Sequence, residues 1–152
     1  MEPAFSFRPV QTAEEPLVTQ LMHQLYAESG KGHDLPAAHP FQTFAHLQAN
    51  PAAGVVWVVA AERKLLGYAL LIPYWSNEYG GNVVHLDELY VQPENRGQGI
   101  GKALIEHLAT ERPFGAVAFK LDVWPENQRA IALYQTLGFT NYPYRVVVWN
   151  PA

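Results

Sequence analysis

The sequence predicts a mixed α/β fold in which helices cover a central sheet. Segments whose apolar residues recur every three or four positions alternate with short apolar runs of strand length. A glycine-rich turn separates one of these runs from the helical segment that follows it. The chain has 152 residues, of which 49% are hydrophobic and 16% charged, enough for one core but hardly for two. We therefore expect a single domain over residues 1–152, with the element order β-α-α-β-β-β-α-β-α-β.

The first third of the chain predicts one short strand and two helices. Residues Phe5–Val10 alternate between apolar and polar side chains, as a strand does. Thr12–Glu15 matches a capping box, and apolar residues at helical spacing follow it, so we expect an amphipathic helix over 13–28. Ser29–Pro40 is rich in glycine, proline and histidine, which predicts a loop. A second short helix is expected over Phe41–Gln48.

Three strands are predicted in the middle of the chain. Gly54–Ala61 is a near-continuous apolar run, typical of a strand that is buried on both faces. A polar turn at Glu62–Lys64 separates it from a second strand over Leu65–Trp75, so the two are expected to form a hairpin. After a polar, glycine-rich turn at Ser76–Asn82, a third strand is expected over Val83–Val91.

The last third predicts two helices and two strands in alternation. Helical spacing of apolar residues indicates helices over Gly97–Arg112 and Asn127–Leu137. The apolar segment Ala116–Val123 lies between them and predicts a strand. A final strand region is expected over Phe139–Trp149, interrupted at Pro143.

Composition excludes several classes of function. Ten Lys and Arg against fourteen Asp and Glu give a net charge of −4, so we expect no nucleic-acid partner and a mild preference for cationic ligands. The absence of cysteine excludes disulfides and thiolate chemistry, and the six histidines match no metal-binding spacing. The longest apolar runs, Val55–Ala61 and Gly67–Trp75, are shorter than the ~18 residues of a membrane span. Met1–Pro3 lacks the pattern of a secretory signal, so we expect a cytoplasmic protein without a membrane partner.

The run Arg96–Gly101 carries the clearest chemical signal. Its glycines let the backbone approach a ligand closely, and the first amides of the next helix have no internal acceptor. The helix dipole and the charges of Arg96 and Lys102 favour an anion such as a pyrophosphate. The spacing fits neither G-x-G-x-x-G, which needs glycine at Lys102, nor a P-loop, which needs Ser or Thr at Ala103. A helix entry that binds nothing has the same pattern, so the turn alone does not decide.

Two motifs at a fixed separation give the chain a family resemblance. The first is Q/R-x-x-G-x-G/A, matched by Arg96, Gly99 and Gly101. The second is N-x-x-A-x-x-x-Y-x-x-x-G-F, matched by Asn127, Ala130, Tyr134, Gly138 and Phe139. With these motifs the chain resembles the GCN5-related N-acetyltransferase (GNAT) superfamily and its acyl-CoA N-acyltransferase fold. The resemblance is specific over residues 83–139, and over residues 1–80 it depends on the element order.

The resemblance implies acetyl-coenzyme A (acetyl-CoA) as cosubstrate, and no metal. In this family the pyrophosphate lies on the amides of the glycine turn, and the pantetheine arm extends like an added strand where two strands splay apart. The residues so implied are Leu89, Tyr90, Val91, Arg96, Gly97, Gln98, Gly99, Ile100, Gly101, Lys102, Asn127 and Tyr134.

The chemistry of amine acetylation needs a base and an acid. An alkyl ammonium has a pKa of about 10.4, so freeing its lone pair near neutrality costs on the order of 4 kcal/mol. Asp87 and Glu88 precede the turn, and a carboxylate there would bind the ammonium and take its proton. Because neighbouring strand residues face opposite sides, we expect one of the two to point into the site, with a slight preference for Glu88. By resemblance, Tyr134 is the acid that protonates the departing thiolate, and transfer is direct.

The resemblance also places the acceptor under the first two helices and the loop between them. The candidate substrate-binding residues are Tyr26, His33, Asp34, Trp75, Glu78, Asp87, Glu88 and Trp124. The acidic balance favours a small primary amine, namely a polyamine, an amino acid derivative or an aminoglycoside-like compound. Two alternatives stay open: a non-catalytic acyl-CoA-binding module, and a protein or peptide N-acetyltransferase. Many relatives are dimers, so a homodimer is a further candidate.

Overall fold

The computed structural model describes residues 4–29 and 34–151. It divides into two compact units, one that ends at Asp122 and one that begins at Val123. With the chain divided in this way, the single domain stays a prediction. The predicted candidate His33 lies outside the described residues.

The first unit contains a five-stranded mixed sheet and three α-helices, which confirms the predicted mixed α/β class. Its elements in chain order are β1 Ser6–Pro9, α1 Glu15–Glu28, α2 Ala38–Ala49, β2 Val55–Ala61, β3 Lys64–Ser76, β4 Gly81–Val91, α3 Ile100–Glu111 and β5 Ala118–Leu121. The sheet order is β1-β2-β3-β4-β5, and the first four strands are antiparallel. Strand β5 is parallel to β4, because α3 carries the chain back across the sheet between them.

Both faces of the sheet are buried, as the apolar run in β2 predicts. The face covered by α1 and α2, called the α1 face below, has a core made of Val18, Leu21, Met22, Phe44, Val56, Val58, Tyr68, Leu70 and Tyr90. On the opposite face Val59 and Leu66 pack with Ile100, the first residue of α3. Alternation along β2 therefore serves two cores, which explains why the run contains no polar residue.

Strand β4 contains a bulge at Asp87. Leu70 lies opposite Glu88, but the next residue, Leu71, lies opposite Leu86, so Asp87 is the extra residue. Nearby, β3 and β4 approach so closely at Gly67 that a Cβ there would collide with the carbonyl oxygen of Tyr90. A bulge of this kind breaks the simple alternation of side chains, so residues 87 and 88 need not face opposite sides of the sheet.

The start of α1 differs slightly from the expectation. The backbone N–H of Gln11 donates to the carboxylate of Glu14 at 2.9 Å, one position before the predicted pairing of Thr12 with Glu15. Arg8 on β1 donates to the same carboxylate at 2.6 and 2.9 Å. The contact with Arg8 thus favours Glu14, rather than Glu15, as the glutamate that caps the start of the helix.

The second unit contains one helix, α4 Gln128–Thr136, and the predicted final strand over Phe139–Trp149 is wrong. No residue of 139–149 is in a strand, and Val147 is 88% exposed. A strand exists only when a neighbouring edge pairs with it, and apolar β-branched residues alone do not supply one. The proline at 143 further weakens the tendency to pair.

Candidate active site

The glycine turn between β4 and α3 is built for open amides. Gly97 and Gly99 have φ of 78° and 79°, a left-handed conformation that glycine adopts without strain. The first helical hydrogen bond runs from the N–H of Ala103 to the carbonyl of Gly99. Among the described residues, the amides of 97–102 have no main-chain or side-chain acceptor. A Cβ at Gly99 would meet no atom within 4 Å, so the space above the turn is open.

Strand β4 loses its parallel neighbour just before this turn. β5 pairs with β4 only from Val83 to Leu86, whereas β3 continues to pair with β4 as far as Val91. Within the part of the chain that the structure describes, residues 88–91 are therefore paired along one edge alone. An extended ligand can add to such an edge by main-chain hydrogen bonds.

Glu88 lies on the α1 face and accepts two phenol hydrogen bonds. The hydroxyl of Tyr68 donates to Oε1 at 2.7 Å, and the hydroxyl of Tyr26 donates to Oε2 at 3.0 Å. Tyr68 is fully buried. Burial, followed by the charge of Glu88, raises the pKa of both tyrosines well above the ordinary value, so both stay protonated donors.

Asp87 shares that face because of the bulge. Its Oδ1 lies 3.9 Å from Nε2 of His85, whose other acidic neighbour is Asp122 at 3.4 Å. His85 lies opposite Ile72, and Ile72 packs against the α1-face core, so His85 and Asp87 lie on the α1 side. The simple alternation behind the expectation of one inward carboxylate does not hold across the bulge, and both carboxylates lie on the α1 face.

Arg96 is held at the end of β4. Its Nε donates to the carbonyl of Val91 at 2.8 Å, and its Nη2 donates to Glu28 at 2.7 Å. The guanidinium also lies 5.3 Å from the centre of the Tyr90 ring. These two donor groups therefore point along β4 and toward α1, whereas the sequence analysis expected the charge of Arg96 to act on an anion at the turn.

Glu28, the last residue of α1, is the residue that sequence reasoning missed. It accepts the hydroxyl of Tyr90 on Oε1 at 2.7 Å as well as the guanidinium of Arg96. Burial favours the protonated acid, but the hydrogen bonds from Arg96 and Tyr90 outweigh it and lower the pKa of Glu28. Burial and the Glu28 contact raise the pKa of Tyr90 to about 12. A glutamate that ends an amphipathic helix looks like any solvated charge, so no local signal could have identified it.

Several predicted substrate residues lie away from the carboxylates. Trp75 is 70% exposed and pairs with Asn82, five positions along β3 from the partner of Glu88, or about 17 Å of strand. Glu78 is exposed in the turn after β3, and Asp34 is exposed before α2. Tyr26 is thus the one substrate candidate outside β4 that the described structure places against Glu88.

The second unit carries the remaining predicted residues. Asn127 caps α4, since its side-chain oxygen accepts the N–H of Ala130 at 3.2 Å. Tyr134 packs against Phe139 with ring centres 5.6 Å apart, and burial raises the pKa of its phenol. Trp124 is half exposed. A tyrosine that remains protonated in this way suits a role as proton donor.

One groove of the first unit lies away from these carboxylates. A cavity of about 390 Å³ lies at the other end of α1, between Thr12, Phe44, Gly54 and Phe114. Its lining is largely apolar and lacks the acid and base groups described above. The carboxylates of β4 and their phenol partners thus lie outside this groove.

The described ranges 4–29 and 34–151 contain neither a metal-binding cluster nor a membrane-spanning helix. No group of three or more His, Asp or Glu side chains is arranged to hold a metal ion there. None of the helices in these ranges has the length and apolar character that crossing a membrane requires.

Comparison with known proteins gives the family and three informative relatives. The model of the acetyltransferase (GNAT) family matches residues 19–139, which include both motifs. The thialysine N-epsilon-acetyltransferase of Sus scrofa is 40% identical over 75 residues, covering 49% of this chain and 44% of that protein. The aminoglycoside N(6')-acetyltransferase type 1 of Klebsiella aerogenes is 39% identical over 97 residues, covering 60% and 62%. The [ribosomal protein bS18]-alanine N-acetyltransferase of Escherichia coli K12 is 33% identical over 118 residues, covering 74% and 78%.

Solved structures show the same fold, although at low sequence identity. A possible acetyltransferase from Clostridium difficile 630 superposes with a TM-score of 0.83 at 20% identity, covering 99% of both chains. A predicted acetyltransferase from Clostridium acetobutylicum, solved with acetyl-CoA, gives 0.78 at 15% identity and covers 95% of both. The first two relatives above are matched over only about half to three-fifths of their length. The family model, in contrast, spans most of this chain, and the chain therefore belongs to the acetyltransferase (GNAT) family.

Proposed function

We propose that the protein is an acetyl-CoA-dependent N-acetyltransferase that moves the acetyl group directly to the primary amine of a small molecule. One observation carries the proposal: the unpaired edge of β4 leads directly into a turn whose amides lack acceptors. A long ligand with an extended arm and an anionic end matches this combination. The carboxylates of Asp87 and Glu88 lie on the same strand, immediately upstream.

The residues of the turn fit the cosubstrate. The amides of 97–102 and the positive end of the α3 dipole would hold the diphosphate, with Lys102 adding a charge from the first turn. The edge of Leu89–Val91 would hold the pantetheine arm, with Asn127 as a further contact. Bound acetyl-CoA supplies an activated acetyl thioester. A main-chain amide near Val91 would polarise its carbonyl.

The carboxylates would handle the amine. At neutral pH an alkyl amine arrives as an ammonium, and losing the proton costs on the order of 4 kcal/mol. Glu88 is held in one position by two phenols, whereas Asp87 is half exposed beside His85. We infer that the pair binds the ammonium and that one member accepts its proton, directly or through water. Tyr134 would donate its phenol proton to the departing thiolate. This role requires a protonated phenol, which agrees with the raised pKa of Tyr134.

The substrate class is supported by the names of two relatives and by charge. Thialysine and aminoglycosides are small amines, and both carry further cationic groups, which suits a site with two carboxylates. Acetylation of a protein amine is the second candidate, because the bS18-alanine N-acetyltransferase matches the larger share of this chain. A non-catalytic acyl-CoA-binding module is the third, and the two carboxylates on one face of β4 argue against it.

A thiol-release assay with acetyl-CoA tests the proposal. The panel comprises thialysine, a diamine, an aminoglycoside and a peptide with an N-terminal alanine, each assayed with the wild type and with the double variant D87N/E88Q. We expect release with at least one small amine and a loss of at least a hundredfold in the double variant. Release with the peptide alone would move the assignment to protein acetylation. Binding of acetyl-CoA without any release would favour the non-catalytic module.

A further inference from the structure

Four hydrogen bonds and one cation–π contact meet near the C-terminal end of α1. The carboxylate of Glu28 accepts the hydroxyl of Tyr90 and the guanidinium of Arg96, each at 2.7 Å. Arg96 also donates to the carbonyl of Val91 at 2.8 Å and lies over the Tyr90 ring. Gln24, one turn earlier on α1, adds a longer contact of 3.4 Å to the same phenol. We call Glu28, Tyr90 and Arg96 the helix-end triad.

The triad connects two parts of the site that the backbone keeps apart. Tyr90 is 3% exposed near the end of β4, so its phenol is a fixed point in the core. Arg96 is the first residue of the glycine turn. Glu28 is the last residue of α1, two positions after Tyr26, whose phenol donates to Glu88. The last turn of α1 is thereby joined through Glu28 to Arg96 of the glycine turn and through Tyr26 to Glu88, called the acceptor carboxylate because we propose that it binds the amine.

Stability alone does not account for this arrangement. The side chains of Glu28 and Arg96 are 41% and 43% exposed, and an ion pair that open to solvent contributes little to folding. Yet the guanidinium uses two separate nitrogens to join a helix end to a strand end, and the carboxylate uses both oxygens. A small displacement of the last turn of α1 would move Tyr26 off Glu88, and misplacement of a positioning group by about 1 Å can cost as much as a hundredfold in rate.

We propose that Glu28 is a positioning residue that fixes the last turn of α1 to the cosubstrate turn and so sets the geometry of the acceptor carboxylate. The inference rests on the function proposed above. Glu28 acts through Arg96 and Tyr90 and touches neither reacting group. Glu28 contacts the side chains of Tyr90 and Arg96 and not the turn amides, so we expect amine binding to be more sensitive to Glu28 than acetyl-CoA binding.

The variant E28Q tests this with a change of charge and almost none of shape. We expect the KM of the amine to rise about three- to tenfold while the KM of acetyl-CoA and the melting temperature change little. In the background of R96Q, the same substitution should raise the amine KM by a smaller factor than in the wild type, because one of the two partners through which Glu28 acts is gone. E111Q, at the exposed end of α3, is the matched control and should behave as the wild type.

Three results would overturn the inference. They are an unchanged amine KM in E28Q, an equal rise of both KM values, and a full effect of E28Q that persists with R96Q. If E28Q does not fold, Y90F takes its place, since it removes the other anchor of Glu28 while leaving the ion pair; it should raise the amine KM in the same direction. Calorimetric titration of the CoA-bound wild type with the same amine separates this from the proposed function. A wild type that binds and acetylates no amine refutes both, whereas an active wild type with an indifferent Glu28 refutes the inference alone.

Discussion

Removal of the Tyr68 hydroxyl is the sharpest perturbation of the acceptor carboxylate. The phenol is fully buried and donates to Oε1 of Glu88 at 2.7 Å. Y68F keeps the ring and its packing, so it creates no cavity and leaves no buried donor without an acceptor. A hydrogen bond to a charged group contributes about 1.5–3 kcal/mol. If catalysis needs Glu88 in its observed position, this converts to a loss of roughly 10- to 100-fold in kcat/KM for the amine.

The assay is steady-state thiol release with the amine varied at saturating acetyl-CoA. Half-buried Glu88 can recruit water in place of the lost phenol, so the stability loss by thermal denaturation should be about 1 kcal/mol. Y144F, which removes a hydroxyl from an exposed tyrosine, is the control and should leave both quantities unchanged. A folded Y68F with wild-type kcat/KM would refute the reasoning, because Glu88 would then need no fixed position.

The remaining predictions concern the turn, the acid and a distant ion pair. G99A should cost about 1–2 kcal/mol of stability, because a non-glycine residue is strained at φ of 79°. It should also weaken CoA binding at least tenfold by calorimetry. The control G80A, which is also strained at φ of 65° in the β3–β4 turn, should lose stability but keep its affinity for CoA. Y134F should lose turnover but still bind CoA, and unchanged turnover would remove Tyr134 from the mechanism. The hydrogen bond from Arg8 lowers the pKa of Glu14, so the pair stabilises the fold by about 1 kcal/mol above pH 4.5, and this stabilisation is lost as pH falls through the lowered pKa. The melting temperature of E14Q should therefore fall less than that of the wild type between pH 7 and pH 3. Parallel melting-temperature curves for the two proteins would contradict this.

Local patterns were sufficient to predict most of the first unit. The apolar run of β2, the helical spacing of α1 and α3, and the glycines at 97 and 99 each encode their structure within a few residues. The turn could be proposed as an anion site from sequence, because glycines at a helix start favour a left-handed backbone and the first helical amides lack internal acceptors. The family motifs were confirmed by the model that matches residues 19–139.

The parts that sequence could not predict all depend on distant partners. The bulge at Asp87 is set by the register of β3, and a one-residue shift there decides which carboxylates share a face. Tyr68 looks like an ordinary core tyrosine until β4 brings Glu88 to it. Glu28 acquires its role from Tyr90 and Arg96, more than sixty residues away. The predicted final strand failed for the same reason, since strand propensity does not supply a neighbouring edge.

A crystal structure of the protein with coenzyme A tests the central claim most directly. The account predicts diphosphate oxygens within about 2.7–3.2 Å of the amide nitrogens of residues 97–101, and a pantetheine arm that hydrogen bonds to the free edge of β4 at Leu89–Val91. A cofactor bound elsewhere on the chain, or a turn whose amides are occupied by the protein's own side chains, would contradict it.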